Sequence, residues 1–375
     1  MDQSASPRRP PGAGAGLHVP DHADPARGLI VEHVTLRNYR SYTSLDLDLS
    51  PGIVLFVGDN GAGKTNLLES LHLATQGFSP RTRHDQQLVA FGTEGGAVEL
   101  TVRDGEFVRR PRVVIPARDA KRATLDGVAL PSAESLRRSF TTLVFTPDRL
   151  AVVKGGPAAR RAYLDRVVSR LFPARSQLAQ EYGAALAQRN AALRRVQLGL
   201  SSRDAIEPWS EQVVTLGAAL VEARREAVAA LVDPFSDNTG ALGLGEGTLV
   251  YEGEALTSGD LAAKLESDIA RGITTLGPHL HDLAIADGAR ALRPFGSQGE
   301  QRLAVLALLL AEIALLPSSP LLLLDDVLSE LDSRRRRVLA ERVSTIEQTV
   351  ITATHRSALP VEPAHVVEVT HGQAR

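Results

Sequence analysis

The sequence predicts an α/β fold built around a phosphate-binding loop and interrupted by a mainly helical insertion. Three observations carry that reading. The wholly apolar run Ile53–Val57 leads straight into Gly58-Asp59-Asn60-Gly61-Ala62-Gly63-Lys64-Thr65, after which Leu67, Leu68, Leu71 and Ala74 recur at helical spacing. A second apolar run, Leu321–Leu324, ends in the paired acids Asp325 and Asp326. Between the two, strand signals vanish from Ala158 to about Val232.

A chain of 375 residues, 43% hydrophobic and 23% charged, can bury one or two sizeable cores. No apolar run is long enough to span a bilayer; the longest, Leu303–Leu316, is interrupted by Glu312 and reads as a buried helix. The absence of cysteine removes disulfides, thiolate metal sites and cysteine nucleophiles, and suits a reducing, cytoplasmic location. A net charge of −2 confines any nucleic-acid surface to local patches. Candidates are Arg160-Arg161, Arg194-Arg195 and the run Arg334–Arg337, although each such group is more often simply a solvated helix face. Residues 1–28, rich in Pro, Gly and Ala, are expected to form a disordered tail.

From Leu29 onward, 29–36 and 44–49 read as strands joined by the basic-aromatic stretch RNYRSY. The wholly apolar Ile53–Val57 fits a strand covered on both faces. Short β-like runs (VELTV, RVVI, ATLDG, TTLVF) follow between 98 and 146. Helical spacing then takes over, as in Val213, Leu216, Leu220, Ala227 and Leu231, or Leu186, Leu193, Val196 and Leu200. Strand-like sequence is expected to resume after Asp233. More than 230 residues separate the phosphate loop from the motif at Ser297, so roughly a hundred of them form an inserted domain. The expected division is a head over 29–157 and 270–375, with the helical arm over 158–269. A helix covering at most Ala174–Leu200 spans only about 40 Å, an arm rather than a long rod.

The glycines at 58, 61 and 63 let backbone N–H groups converge on phosphate oxygens, at the positive end of the following helix. Lys64 would reach the β- and γ-phosphates of ATP, and Thr65 would place its hydroxyl on Mg²⁺. Asp325 is the expected Mg²⁺ residue, directly or through water, and Asp326 the residue that orients or deprotonates the attacking water. Ser297-Gln298-Gly299-Glu300 opens the apolar helix Gln301–Leu316 as a capping box, and the same geometry offers N–H groups and a hydroxyl to an anion. Thr349–Thr354 reads as a further buried strand, with His355 at its end placed to sense a γ-phosphate.

The order GDNGAGKTNLLE, SQGEQR, LLLLDDVLSELD and ITATH resembles the ABC-type ATPases of the SMC kind. The finer segments LRNYRSY, TPDRLAVVKGGPAARRAYLD, QRNAALR and GPHLHDL are similar to the RecF family, over nearly the whole chain after residue 29. The resemblance implies an ABC/SMC-type P-loop ATPase head with an inserted arm, and a homodimer in which each subunit's signature closes over the other's ATP. Ser297, Gln298 and Gly299 would then contact γ-phosphate in trans, Asp332 would belong to the loop linking the two sites, and His355 would be the switch residue. It also implies ATP-dependent binding of DNA at single-strand gaps and junctions, and work with RecR and RecO to load RecA.

Three departures matter, the first from the wider ABC pattern only, since RecF-like proteins commonly carry aspartate there too. Asp326 stands where ABC proteins usually carry glutamate, which implies slow hydrolysis. Leu280 and His281 replace an arginine and an aspartate of GPHRDD. No glutamine stands in TTLVFTPD where a Q-loop residue would fall. Two other readings share the ATPase motifs: the nucleotide-binding subunit of a membrane transporter, which the helical insertion argues against, and a nucleotide-binding scaffold without turnover.

Overall fold

The computed structural model describes residues 28–375; the tail expected over 1–28 lies outside the described residues except for Gly28, which bridges to Ser319. The chain opens with a hairpin, β1 (Leu29–Tyr39) and β2 (Tyr42–Asp48), followed by β3 (Gly52–Val57) and helix α1 (Lys64–Gln76). Strands β4 (Gly95–Asp104), β5 (Phe107–Arg109), β6 (Pro111–Pro116), β7 (Arg122–Leu125) and β8 (Val128–Ala129) complete an antiparallel sheet in the order β2-β1-β4-β6-β7-β8, with β5 beside β4. Alternation in β4 and β6 puts Val98, Leu100, Val102, Val113 and Ile115 on the inner face.

Next come β9 (Thr142–Phe145), the short α2 (Ala151–Lys154), and three long helices, α3 (Pro157–Leu171), α4 (Leu178–Gln197) and α5 (Glu207–Ala241). They are followed by β10 (Gly247–Glu252), α6 (Ser258–Arg271), β11 (Asp282–Asp287), β12 (Arg290–Ala291), α7 (Leu292–Phe295) and α8 (Gln298–Ala314). The chain closes with β13 (Leu321–Leu324), α9 (Ser333–Val343), β14 (Gln348–Ala353), β15 (His365–Thr370) and β16 (Gln373–Ala374).

The second sheet runs β16-β15-β3-β14-β13-β9, parallel except at β16. Its inner strands are apolar on both faces because both are covered: Val54 and Phe56 pack toward α1, Ile53 and Leu55 toward α8. TTLVF, which follows the antiparallel strands in sequence, joins this parallel sheet instead, with Phe145 opposite Leu324.

Two helical expectations change. Strand-like sequence does not resume at Asp233, because α5 continues through Pro234 to Ala241, 35 residues in all and about 52 Å long at 1.5 Å per residue. An interior proline costs a helix roughly 3 kcal/mol. Here Leu231 and Phe235 are fully buried beside it, and Asn238 Nδ2 donates to the Pro234 carbonyl at 2.7 Å. The helix expected to reach Leu200 stops instead at Gln197, with Gly199 at φ +70°.

The apolar core also crosses the head–insertion boundary. Val167 and Val168 of α3 and Ala227, Leu231 and Phe235 of α5 pack in one cluster with Leu303–Leu310 of α8. The other half of α5 packs with α4 and α6 through Val213, Leu220, Tyr182 and Leu261. One continuous helix thus runs from the head's core into the arm.

Candidate nucleotide site

The loop between β3 and α1 leaves the carboxyl edge of the parallel sheet. Gly61 and Gly63 hold φ of +82° and +113°, a region that a Cβ would strain. A Cβ on Gly63 would also meet the Tyr42 hydroxyl at 2.9 Å, and that hydroxyl donates to the Gly63 carbonyl at 3.1 Å. Arg40, at the hairpin tip, donates two bonds of 2.9 Å to Glu69 of α1. The stretch RNYRSY is therefore not a loose connection but the buttress of the phosphate loop.

Lys64 folds back over the loop, its Nζ donating to the carbonyls of Gly58 and Asp59 at 2.6 and 2.8 Å. Burial pulls its pKa below the usual lysine value, and Asp326, Asp325 and Asp59 oppose that. Asp59, Asn60 and Gly61 face solvent, whereas Ala62 is buried.

Across the sheet edge, Thr65 Oγ1 and Thr352 Oγ1 both donate to Asp325 Oδ1, each at 2.9 Å. Burial raises the Asp325 carboxyl above its ordinary range, with the Thr352 and Thr65 hydrogen bonds pulling it back. A hydroxyl and a carboxylate so close at the mouth of a phosphate loop fit Mg²⁺, which takes one or two protein oxygens and completes its shell with phosphate and water. Among the described residues no group of three or more His, Cys, Asp or Glu could hold a metal.

Asp326 sits at φ +50°, an uncommon conformation for a residue with a side chain, and its N–H donates to Thr352 Oγ1 at 2.8 Å. Thr352 thereby fixes both acids. Nothing in the sequence reading singled it out, although a hydroxyl inside a buried strand must find a partner. His355 is exposed and shares a cavity of about 180 Å³ with Asp326, Ser329 and Arg336. Arg81 is a second residue the reading missed. It donates to Asn66 Oδ1 at 3.1 Å, and its charge lowers Asp325.

The motif at 297 stands apart. Ser297 Oγ accepts from the Glu300 amide at 3.2 Å and Glu300 Oε2 accepts from the Ser297 amide at 2.7 Å, closing a capping box at the start of α8. Hydrogen bonds from Arg290 and from the Ser297 amide hold the Glu300 carboxyl down at about 2. Ser297, Gln298 and Gly299 are exposed, as is Phe295 just before them. Among the described residues no hydrogen bond or ion pair joins 297–300 to the phosphate loop, Asp325, Asp326 or His355. Asp332 likewise faces solvent and caps α9 through the Arg335 amide at 2.9 Å.

The finer segments are structural clasps. Arg160 grips Asp282 with two bonds of 2.6 Å, and Arg224 of α5 grips Asp165 at 2.8 and 3.0 Å. Arg189 of QRNAAL is fully buried on Asp268 at 2.9 Å and Thr274 at 2.7 Å. His281 accommodates its departure by bonding Tyr251 at 2.8 Å, while Leu280 points outward, 55% exposed. Of the arginine runs, Arg160 and Arg161 are taken up internally, Arg335 and Arg336 bond backbone carbonyls, and Arg194, Arg195, Arg334 and Arg337 remain exposed.

The family model for the RecF/RecN/SMC N-terminal domain matches residues 30–375. The DNA replication and repair protein RecF of Anaeromyxobacter dehalogenans is 38% identical over 353 residues, 88% of this chain and 93% of its own. The chain belongs to the RecF family. The RecF protein of Kineococcus radiotolerans is 34% identical, covering 92% of this chain and 98% of its own. A solved structure of the recombination mediator protein RecF-ATP in the RecFOR pathway superposes with a TM-score of 0.84 at 26% identity, over 93% of this chain and 98% of that one. An Smc head from Pyrococcus furiosus, at 16% identity and a TM-score of 0.59, shares the fold alone. The ABC/SMC-type head with an inserted helical arm is thus the fold of this RecF-family chain. No helix among the described residues is long and apolar enough to cross a membrane.

Proposed function

We propose that this RecF-family chain binds ATP with Mg²⁺ and pairs with a second copy of itself on doing so. The closed pair holds DNA at single-strand gaps and junctions during replication and recombinational repair, where RecR- and RecO-type mediators join it. One observation carries the reading: one half of a nucleotide site is assembled while the other half faces outward. Lys64, Thr65 and Asp325 are already mutually positioned on one edge, and Ser297–Gly299 presents a capped helix start to solvent. A helix start with free N–H groups suits an anion, and a second copy is the natural source of one.

Lys64 and the loop amides would hold the β- and γ-phosphates. Thr65 and Asp325 would hold Mg²⁺, which neutralises phosphate charge when bound. Asp326, beside His355, would orient water for slow hydrolysis. The head is proposed to comprise 29–157 and 270–375, with 158–269 as the arm. Exposed Arg194 and Arg195 on the arm and Arg334 and Arg337 on the head are the candidate phosphate contacts, so DNA affinity should fall steeply with salt.

The test is sedimentation of the full chain with ATP, ADP or no nucleotide, with and without gapped DNA. ATP is expected to convert monomer to dimer, because it binds the pair better than the single chain. Lys64→Ala should abolish that conversion. A chain that stays monomeric under every condition, or a Lys64→Ala variant that dimerises normally, overturns the proposal.

A further inference from the structure

Behind α1, and outside the nucleotide site, lies a cavity of about 250 Å³ lined by the guanidinium side chains of Arg149, Arg166 and Arg170, with His72, Phe78 and Thr146 among its other walls. His72 is seven residues along α1 from Thr65, about 10 Å down the helix axis. None of residues 58–65 lines the cavity. A second cavity of about 240 Å³ shares Phe78, Arg166 and Arg170 with it, and its remaining lining is largely polar, including Gln76, Ser169 and Gln180.

The charge there is unbalanced. Arg170 pairs with Glu312, a fully buried acid of α8. Asp165, the other nearby carboxylate, is held by both Nε and Nη2 of Arg224. Among the described residues Arg149 and Arg166 have no side-chain hydrogen bond or ion pair. Among the described residues three cations thus face one acid around this cavity, with Arg149 and Arg170 half-buried and Arg166 exposed. The Tyr163 hydroxyl, buried near the same arginines, also has no partner among the described residues. Burial, reinforced by the neighbouring Arg170 charge, pushes the Arg149 pKa down to about 10. His72 is held neutral, at about 3, chiefly by burial. Three guanidinium groups gathered on one cavity, two of them without a side-chain partner among the described residues, are matched to an anion, and planar, multi-donor guanidinium suits phosphate oxygens.

We infer that this cavity is a second anion site, distinct from the phosphate loop, that takes a phosphate monoester. The phosphoryl group sits among Arg149, Arg166 and Arg170, and its polar organic part extends into the neighbouring cavity. A free mononucleotide and the 5′-phosphate end of a DNA strand both present that chemistry.

The test uses the full chain carrying Lys64→Ala, so that the phosphate loop does not compete. Calorimetric titrations at fixed ionic strength compare inorganic phosphate, AMP, and a short DNA strand with either a 5′-phosphate or a 5′-hydroxyl. Inorganic phosphate should bind and raise the melting temperature. Preference for AMP, or for the 5′-phosphorylated strand over its hydroxyl twin, identifies the source. Adding Arg149→Gln or Arg166→Gln should weaken binding about tenfold or more. The same variants should melt no lower than their parent without ligand, since each removes an uncompensated charge; that separates lost binding from lost folding. Undetectable binding of all four probes, or affinity unchanged in both glutamine variants, overturns the inference.

Discussion

Thr352 is where a single atom governs most of the site. Its hydroxyl donates to Asp325 and accepts from the Asp326 amide, so it sets the carboxylate proposed to hold Mg²⁺ and the left-handed backbone of the next acid together. Valine has the same shape and neither bond. Thr352→Val should therefore cost about 1–3 kcal/mol of stability, the usual penalty for stranding buried polar groups. If Asp325 holds Mg²⁺ as proposed, the change should also weaken ATP binding about tenfold in the presence of Mg²⁺ and far less in EDTA, because only that acid is released. Nucleotide titrations with and without Mg²⁺ check this, and equal losses in both would place Thr352 outside the metal's surroundings. The neighbouring loop offers a backbone counterpart. Gly63→Ala puts a Cβ at φ +113° and 2.9 Å from the Tyr42 hydroxyl, so it should strain the loop even with Lys64 intact.

At the scale of elements, the segments most diagnostic of the family turn out to be joints. Arg189 and Asp268, both fully buried, tie α4 to α6, and Asn190 accepts from both the amide and the hydroxyl of Thr274. Removing one partner strands the other, so Arg189→Ala should cost about 3–5 kcal/mol in urea unfolding, whereas Arg189→Met with Asp268→Leu should recover most of it. ATP affinity should survive both changes, because the pair lies in the arm cluster and not at the sheet edge. These joints also mark the limit of what the sequence discloses. The phosphate loop, its helix and the acid-bearing strand were legible because each function sits in a contiguous stretch with a period of its own. Arg160 with Asp282, or Arg170 with Glu312, lie more than a hundred residues apart, and no local pattern announces which arginine meets which acid. The extent of α5 was hidden for a different reason. Pro234 is a helix breaker by local chemistry, and only the burial of Leu231 and Phe235 against the head carries the helix past it.

For the molecule as a whole, α5 packs at one end in the head's core and at the other in the arm, so the stability of the two should respond together to pH. His72 is 4% exposed and its pKa is depressed to about 3, chiefly by burial; His281 is depressed to about 4, also chiefly by burial. In the unfolded chain both titrate near 6.5. Between those values the unfolded state holds more protons than the native one, so acidification favours unfolding. Stability should hold above pH 6.5 and fall below it, with His72 alone contributing a slope of about 1.4 kcal/mol per pH unit and the more exposed His281 less. Asp325, whose carboxyl is raised by burial, acts in the opposite sense: its native form keeps a proton that the unfolded form has lost, so it favours folding as pH drops through the acid range. The histidine loss dominates between pH 6.5 and 5, above the ordinary carboxylate range. Urea unfolding at pH 7, 6 and 5 should show the decline, and His72→Gln should flatten it by about one proton's worth of slope. An unchanged slope in that variant would mean that His72 is not held neutral by its burial in α1.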